Sequence, residues 1–190
     1  VARFGWFLEA GEFGVNAFSP HSHVSSGDRI SNSASLGIDA GGVLTVNSGS
    51  LDVQSGTSVV SGGTLATPGS FLKTGAGELD LQSNASVGGV STVADGTLLV
   101  NGQLSANLVV VDPNATLGGA GTIAAPVVVN GTLSPGNSPG MLTIAGNLSL
   151  AGANSTLIEI ASPTNFDRIA VGGTASLGGF MEANDLVSLE

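Results

Sequence analysis

Leu79, Leu98 and Leu117 stand nineteen residues apart, each at the same place in a short alternating run. Leu44 and Leu65 repeat the relationship at a spacing of twenty-one. A period near twenty, divided among several short runs, constrains this chain more than any other feature. The recurring unit is a turn with Gly or Asn, a small polar residue, then an aliphatic residue alternating with a polar one. It reads "GGVLTV", "GSLDV", "GELDL", "DGTLLV", "NGTLSP" and "GNLSL". Alternation of period two is the pattern of a strand. The Gly, Asn, Asp and Pro between runs supply turns. Units of this kind stack coil upon coil, each strand pairing in parallel with its counterparts above and below, which is a β-solenoid. Outside the N-terminal segment, no window of helical length carries an apolar stripe at 3.6-residue spacing.

An antiparallel sandwich also uses short strands and turns. Two observations favour the solenoid. The turns are too short and too Gly-rich for hairpins of one fixed length, and the alternation persists without the aromatics that usually fill a sandwich. A coil of about three strands encloses a narrow interior, which Val, Leu, Ile, Ala and Thr fill better than Phe or Trp. Composition agrees: 42% of residues are hydrophobic, enough for a core, while only 9% are charged and 30 are Gly.

Charge limits the partners. The net charge is −10, and the four bases, Arg3, Arg29, Lys73 and Arg168, are far apart in sequence. No basic patch can be assembled for phosphate, which argues against nucleic acid and against an anionic membrane surface. The chain has no cysteine, so disulfides and thiolate metal sites are excluded. No run approaches the roughly 18 apolar residues of a membrane helix. The start lacks the pattern of a signal peptide, so the chain reads as an excised part of a longer protein.

Phe4, Trp6, Phe7, Phe13 and Phe18 all fall within the first eighteen residues, and only Phe71, Phe166 and Phe180 follow. Residues 1–30 are therefore expected to be an N-terminal cap or a vector-derived segment, and the final Leu189-Glu190 reads as a cloning remnant. Residues 31–111 are expected to form β-helix coils, and residues 112–190 a C-terminal region.

Residues able to do chemistry are few. His21 and His23 would share a face of a strand, the spacing of a metal pair, but no third ligand is suggested, and an exposed loop is the reading taken. Glu78 and Asp80 alternate on one strand opposite Leu79 and Leu81, with Asp95 in the next turn; paired carboxylates could hydrolyse a glycoside. The plainer reading is a solvated face. No G-x-S-x-G appears, and "GGAG" does not open a helix as a phosphate loop would. Asn84, Asn114, Asn130, Asn147 and Asn154 sit in formal sequons that a turn-rich sequence produces by chance. No catalytic residue, metal or cofactor is expected.

The stretch "GTLSPGNSPGMLTIAGNLSL" holds neither a charge nor an aromatic ring. Its Leu133, Leu142, Ile144, Leu148 and Leu150 are expected to point inward, as are Leu79, Leu98 and Leu117. "SPGNSPG" reads as a rigid double turn around Asn137. Pro135 and Pro139 fix φ there, and Gly136 and Gly140 allow positive φ.

"KTGAGELDLQSNASVGGVSTVADGTLLVNGQL" resembles the autotransporter-associated β-strand repeat of secreted passenger domains. "ATLGGAGTIAAPVVVNGTLSPGNSPGMLTIAGNLSLAGANSTLIEI", continued by "FDRIAVGGTASLGG", is similar to the C-terminal end of such passengers. The likeness covers roughly residues 71 to 179. It implies a right-handed parallel β-helix ending in an autochaperone region, at the bacterial cell surface. It also implies that the partners are the rest of the passenger and a C-terminal outer-membrane β-barrel, which anchors the full-length protein. The expected role is a structural stem that promotes passenger folding. The alternative is an adhesin segment that binds a surface ligand on a host or neighbouring cell, and a polysaccharide-cleaving enzyme ranks third.

Overall fold

The computed structural model describes strands at 22–24, 29–32, 37–38, 43–46 and 49–53, and the whole chain from 57 to 185. The aromatic-rich opening 1–18, His21 and the terminal Leu189-Glu190 lie outside the described residues. His23 falls in the strand Ser22–Val24, whose ladder partner is Val43–Val46.

Every described element is a strand or a turn. The strands form three stacked sheets, of eight, eight and nine strands. Each sheet takes one strand from every coil. One coil serves as the pattern: Asn84–Val87 belongs to the first sheet, Val90–Val93 to the second and Gly96–Val100 to the third. The next repeats it with Gln103–Ser105, Leu108–Val111 and Ala115–Gly119. Pairing along each sheet is parallel from coil to coil, so the chain is a β-solenoid with three strands per coil and not an antiparallel sandwich.

The period seen in the sequence is the register. Leu98 pairs directly with Leu79 on one side and Leu117 on the other, and Leu44 pairs with Leu65. Strands alternate because one side of each must face the column. In Val90–Val93 the exposures run half-buried, buried, half-buried, buried. The interior is a set of vertical stacks. In the first sheet Leu65, Ala85, Leu104, Ile123, Ile144 and Val171 lie one above another. In the third, Leu79, Leu98, Leu117, Leu133, Thr156 and Met181 do the same. Burying each such aliphatic side chain contributes about 1.5–3 kcal/mol. The parallel ladder also satisfies the backbone of interior coils, which a buried chain requires.

Two details depart from a purely small, aliphatic interior. Phe71 is buried in the second sheet, with Gly49 and Ser91 as its register partners, so its ring is accommodated by small residues in the coils on either side. Lys73, two residues on, is also interior. One sequence reading needs correction. Asp80 does point away from Leu79 and Leu81, but it is not on a solvated face. It is 8% exposed, and its two carboxylate oxygens accept hydrogen bonds from Gln82 Nε2 and Asn101 Nδ2, each at 2.8 Å. Asn101 Oδ1 in turn accepts from the amide of Ala120, so a polar rung links three coils. Glu78 is half-buried, and the Thr57 hydroxyl donates to it at 3.4 Å.

Candidate functional site: the braced C-terminal coils and their open end

The "SPGNSPG" corner begins inside the column. Pro135 is the buried last residue of the strand Thr132–Pro135. Gly136 follows with φ +97, a conformation that costs a residue with a Cβ. Its amide donates to the carbonyl of Gly119 in the preceding coil at 2.9 Å. Asn137 is exposed and Pro139 half-buried. Gly140 departs from expectation. The second positive φ belongs to Ser138, at +54. What Gly140 supplies is room: a Cβ there would stand 2.8 Å from the Asn137 nitrogen.

A long strand, Ser155–Ser162, runs past this corner. Phe180–Asp185 pairs in parallel with one edge of it, from Ser155 to Ile160. The opposite edge is shared. Thr132–Pro135 takes Ser155 and Thr156, and the short strand Asn165–Phe166 folds back antiparallel to take Ile160 and Ser162. This hairpin is a local exception to the parallel rule, and it occupies the edge that the preceding coil leaves bare.

Asp167 closes the hairpin onto the corner. It is 4% exposed. One carboxylate oxygen accepts from the Gly140 amide at 2.8 Å and the other from the Glu159 amide at 2.9 Å. Its own amide donates to Glu159 O, and the Arg168 amide donates to Gly140 O, both at 2.8 Å. A Cβ on Gly136 would collide with Asp167 Oδ1. The corner therefore depends on Gly136 for both conformation and space. Arg168 is exposed and lies over the Phe166 ring, 5.5 Å from its centroid.

Asn154 braces the last coil in the same manner and has no exposed surface. Its amide nitrogen, turned toward the chain, donates to Ala151 O at 3.0 Å and Gly178 O at 2.8 Å, while its oxygen accepts from the Thr156 hydroxyl at 3.2 Å. This orientation, unlike the reverse, gives every neighbouring atom a complementary partner. An Asn inside a formal sequon is thus an interior plug.

Beyond these braces the column is open among the described residues. Arg168–Val171 and Ala175–Ser176 are end strands of their sheets, and Phe180–Asp185 pairs on one side only among the described residues. A half-open hollow of about 400 Å³ lies between them, lined by Leu148, Leu150, Ile169, Val171, Leu177 and Met181 among others. Leu177 is 72% exposed, Phe180 70% and Met181 75%. Met181 occupies the stack that Leu79, Leu98, Leu117 and Leu133 fill deeper in, but no coil among the described residues covers it.

The other aliphatic residues singled out from the sequence occupy definite places. Leu79, Leu98, Leu117, Leu133, Leu142, Ile144 and Leu148 are buried, and Leu150 is half-buried against them at the open end. Asp95 caps the following turn, its carboxylate accepting from the Gly96 amide at 2.8 Å. Among the described residues, no three His, Cys, Asp or Glu side chains converge as a metal site requires. No helix among the described residues is long and apolar enough to cross a membrane. Sequence reasoning passed over Lys73, Asp167 and Asn154. The signal was present for Lys73 alone, as a single cation on the aliphatic side of the alternation in "FLKT".

Comparison with known proteins supplies the context. The chain is 32% identical over 123 residues to an extracellular serine protease of Serratia marcescens, which is 64% of this chain and 11% of that protein. It is 37% identical over 78 residues to the adhesin BmaC autotransporter of Brucella suis, 39% of this chain and 2% of that protein. The parallel β-solenoid and these relatives are consistent with an autotransporter passenger β-helix. The chain is also 33% identical over 124 residues to the uncharacterized protein YuaQ of Escherichia coli, 57% of the chain and 8% of that protein. The chain thus spans about a tenth or less of the length of the curated relatives it matches. No family model and no solved structure matches it.

Proposed function

We propose that this segment is the structural stem and folding nucleus of a secreted passenger, working at the outer surface of the bacterial cell. The observation that carries the reading is the bracing at the C-terminal end of the column. From Thr132 onward, the corner at Gly136–Gly140, the antiparallel return at Asn165–Phe166, Asp167 and Asn154 tie successive coils together by contacts beyond the parallel ladder. A block with its own cross-links can close before its neighbours, and nucleation is the costly step of a one-dimensional stack. Once closed, it offers a row of unpaired donors and acceptors to the coil preceding it in sequence. Coil addition then proceeds downhill on a surface that has no nucleotide. In this reading the segment is not catalytic. The remainder of the passenger is its working partner, and a C-terminal barrel in the outer membrane is its anchor.

The test is deletion of residues 112–179 from the parent protein in cells. Loss of protease resistance and of display on the cell surface is the expected outcome; normal display of a protease-resistant passenger overturns the reading.

A second reading is adhesion, supported by the likeness to the Brucella adhesin. Saturable binding of the purified chain to host or bacterial cells, with folding of the deleted passenger unimpaired, would favour it over the first.

A further inference from the structure

Lys73 is the only lysine among the 190 residues, and none of its surface is exposed. In register it stands where Val93, Val111 and Val129 stand in the following coils, and where Leu51 stands in the preceding one. A charge in that column is costly unless it is fully engaged. The chain engages it. Nζ donates to Gly75 O at 2.6 Å, Gly77 O at 2.5 Å and Asp95 O at 2.7 Å. The first two carbonyls belong to the turn that follows the lysine's own strand, Phe71–Thr74. The third belongs to the equivalent turn one coil on. Gly96 completes the cage: it has φ +65, and a Cβ there would strike Nζ and both glycine carbonyls.

We propose that Lys73 is an internal latch that fixes the alignment of two neighbouring coils. The aliphatic stacks cannot do this alone. Sliding one strand past the next by two residues keeps every inward residue inward, and one Val then replaces another at little cost. The ammonium has no such freedom. A two-residue slip one way sets it opposite Ser91, four positions short of Asp95; the other way sets it opposite Asp95 itself, beyond the end of the strand Val90–Val93, and neither placement reproduces the three-carbonyl cage. The charge therefore discriminates between registers that the hydrophobic column scores almost equally, much as a single polar residue sets register in a coiled coil.

The absence of cysteine makes the test direct. In the full chain, Leu72→Cys with Thr92→Cys joins partners that are in register, and Leu72→Cys with Val90→Cys joins positions two residues out of register. With Lys73 present, the first pair is expected to oxidise to a disulfide and the second is not. In the Lys73→Met background, the second pair is expected to oxidise at least 10-fold faster than with Lys73 present. Unchanged discrimination between the two pairs overturns the proposal. Should Lys73→Met fail to fold, amine acetylation of the unaltered chain decides. The reagent finds only the N-terminal amine and Lys73. Lys73 is expected to react at least 100-fold more slowly than the terminus, and to speed up with urea in step with the circular-dichroism transition. Equal rates at the two amines in the folded state overturn the latch.

Discussion

The Asp167 carboxylate accepts a hydrogen bond at 2.8 Å from the amide of Gly140, twenty-seven residues earlier in the chain. Its other oxygen holds the Glu159 amide at 2.9 Å, so one buried side chain ties a corner, a long strand and a hairpin together. Replacement by Ala leaves two backbone donors without partners in a nearly closed site. Asp167→Ala is expected to cost about 2–4 kcal/mol in urea denaturation. Asp167→Asn keeps one acceptor oxygen and is expected to cost about half as much. Equal stability of all three proteins would show that the clamp contributes nothing.

Gly136 and Asp167 are coupled. Gly136→Ala adds a Cβ to a backbone at φ +97 and drives it into Asp167 Oδ1. The conformational penalty is about 1 kcal/mol and the collision adds to it. In an Asp167→Ala background the collision vanishes and the conformational penalty remains. The double-mutant cycle is therefore expected to show an interaction energy of about 1 kcal/mol or more. Strict additivity would contradict the contact.

Leu98 is fully buried between Leu79 and Leu117. A closed column cannot collapse around a missing side chain without breaking three ladders. Leu98→Ala is expected to cost about 3–5 kcal/mol, near the upper end for such truncations. Leu99, its neighbour on the outer side, is half-buried; Leu99→Ala is expected to cost less than about 1.5 kcal/mol. Thermal or urea denaturation of the two proteins provides the comparison, and a reversed order would mean that the inward face is misassigned.

At the open end, exposure predicts the opposite. Leu177 and Met181 are 72% and 75% exposed. Leu177→Ser with Met181→Lys is expected to change stability by no more than about 0.5 kcal/mol each. The same pair should reduce self-association at high concentration, measured by sedimentation, because it breaks a contiguous apolar patch. A large loss of stability would mean that these residues pack within the chain.

What the sequence made legible follows from periodicity. Leu79, Leu98 and Leu117 advertise their stack because two consecutive coil-to-coil intervals happen to be of equal length in the third sheet. The stack becomes irregular afterwards, with Leu133 sixteen residues beyond Leu117, and there no fixed spacing could have found it. Polar interior residues were missed for a different reason. Asp80, Asp167 and Asn154 look like ordinary turn or strand-surface residues, since what buries them are amides and carbonyls supplied from elsewhere in the chain, some of them one coil away. The antiparallel return at Asn165–Phe166 is two residues long, too short to leave a pattern of its own. At "SPGNSPG" a turn was evident but its second left-handed residue was not, because Ser138 adopts a conformation that composition alone assigns to Gly140.

Drawing the sole lysine into the interior has an electrostatic consequence outside. The chain carries −10 overall with Lys73 counted, and the buried ammonium cannot form a direct surface ion pair with an approaching copy. Mutual repulsion between two such acidic rods persists only over roughly 8 Å at physiological ionic strength. It therefore acts at the last moment before bare strand ends would knit two molecules into a fibre, while hardly opposing the addition of a coil already tethered by its own backbone.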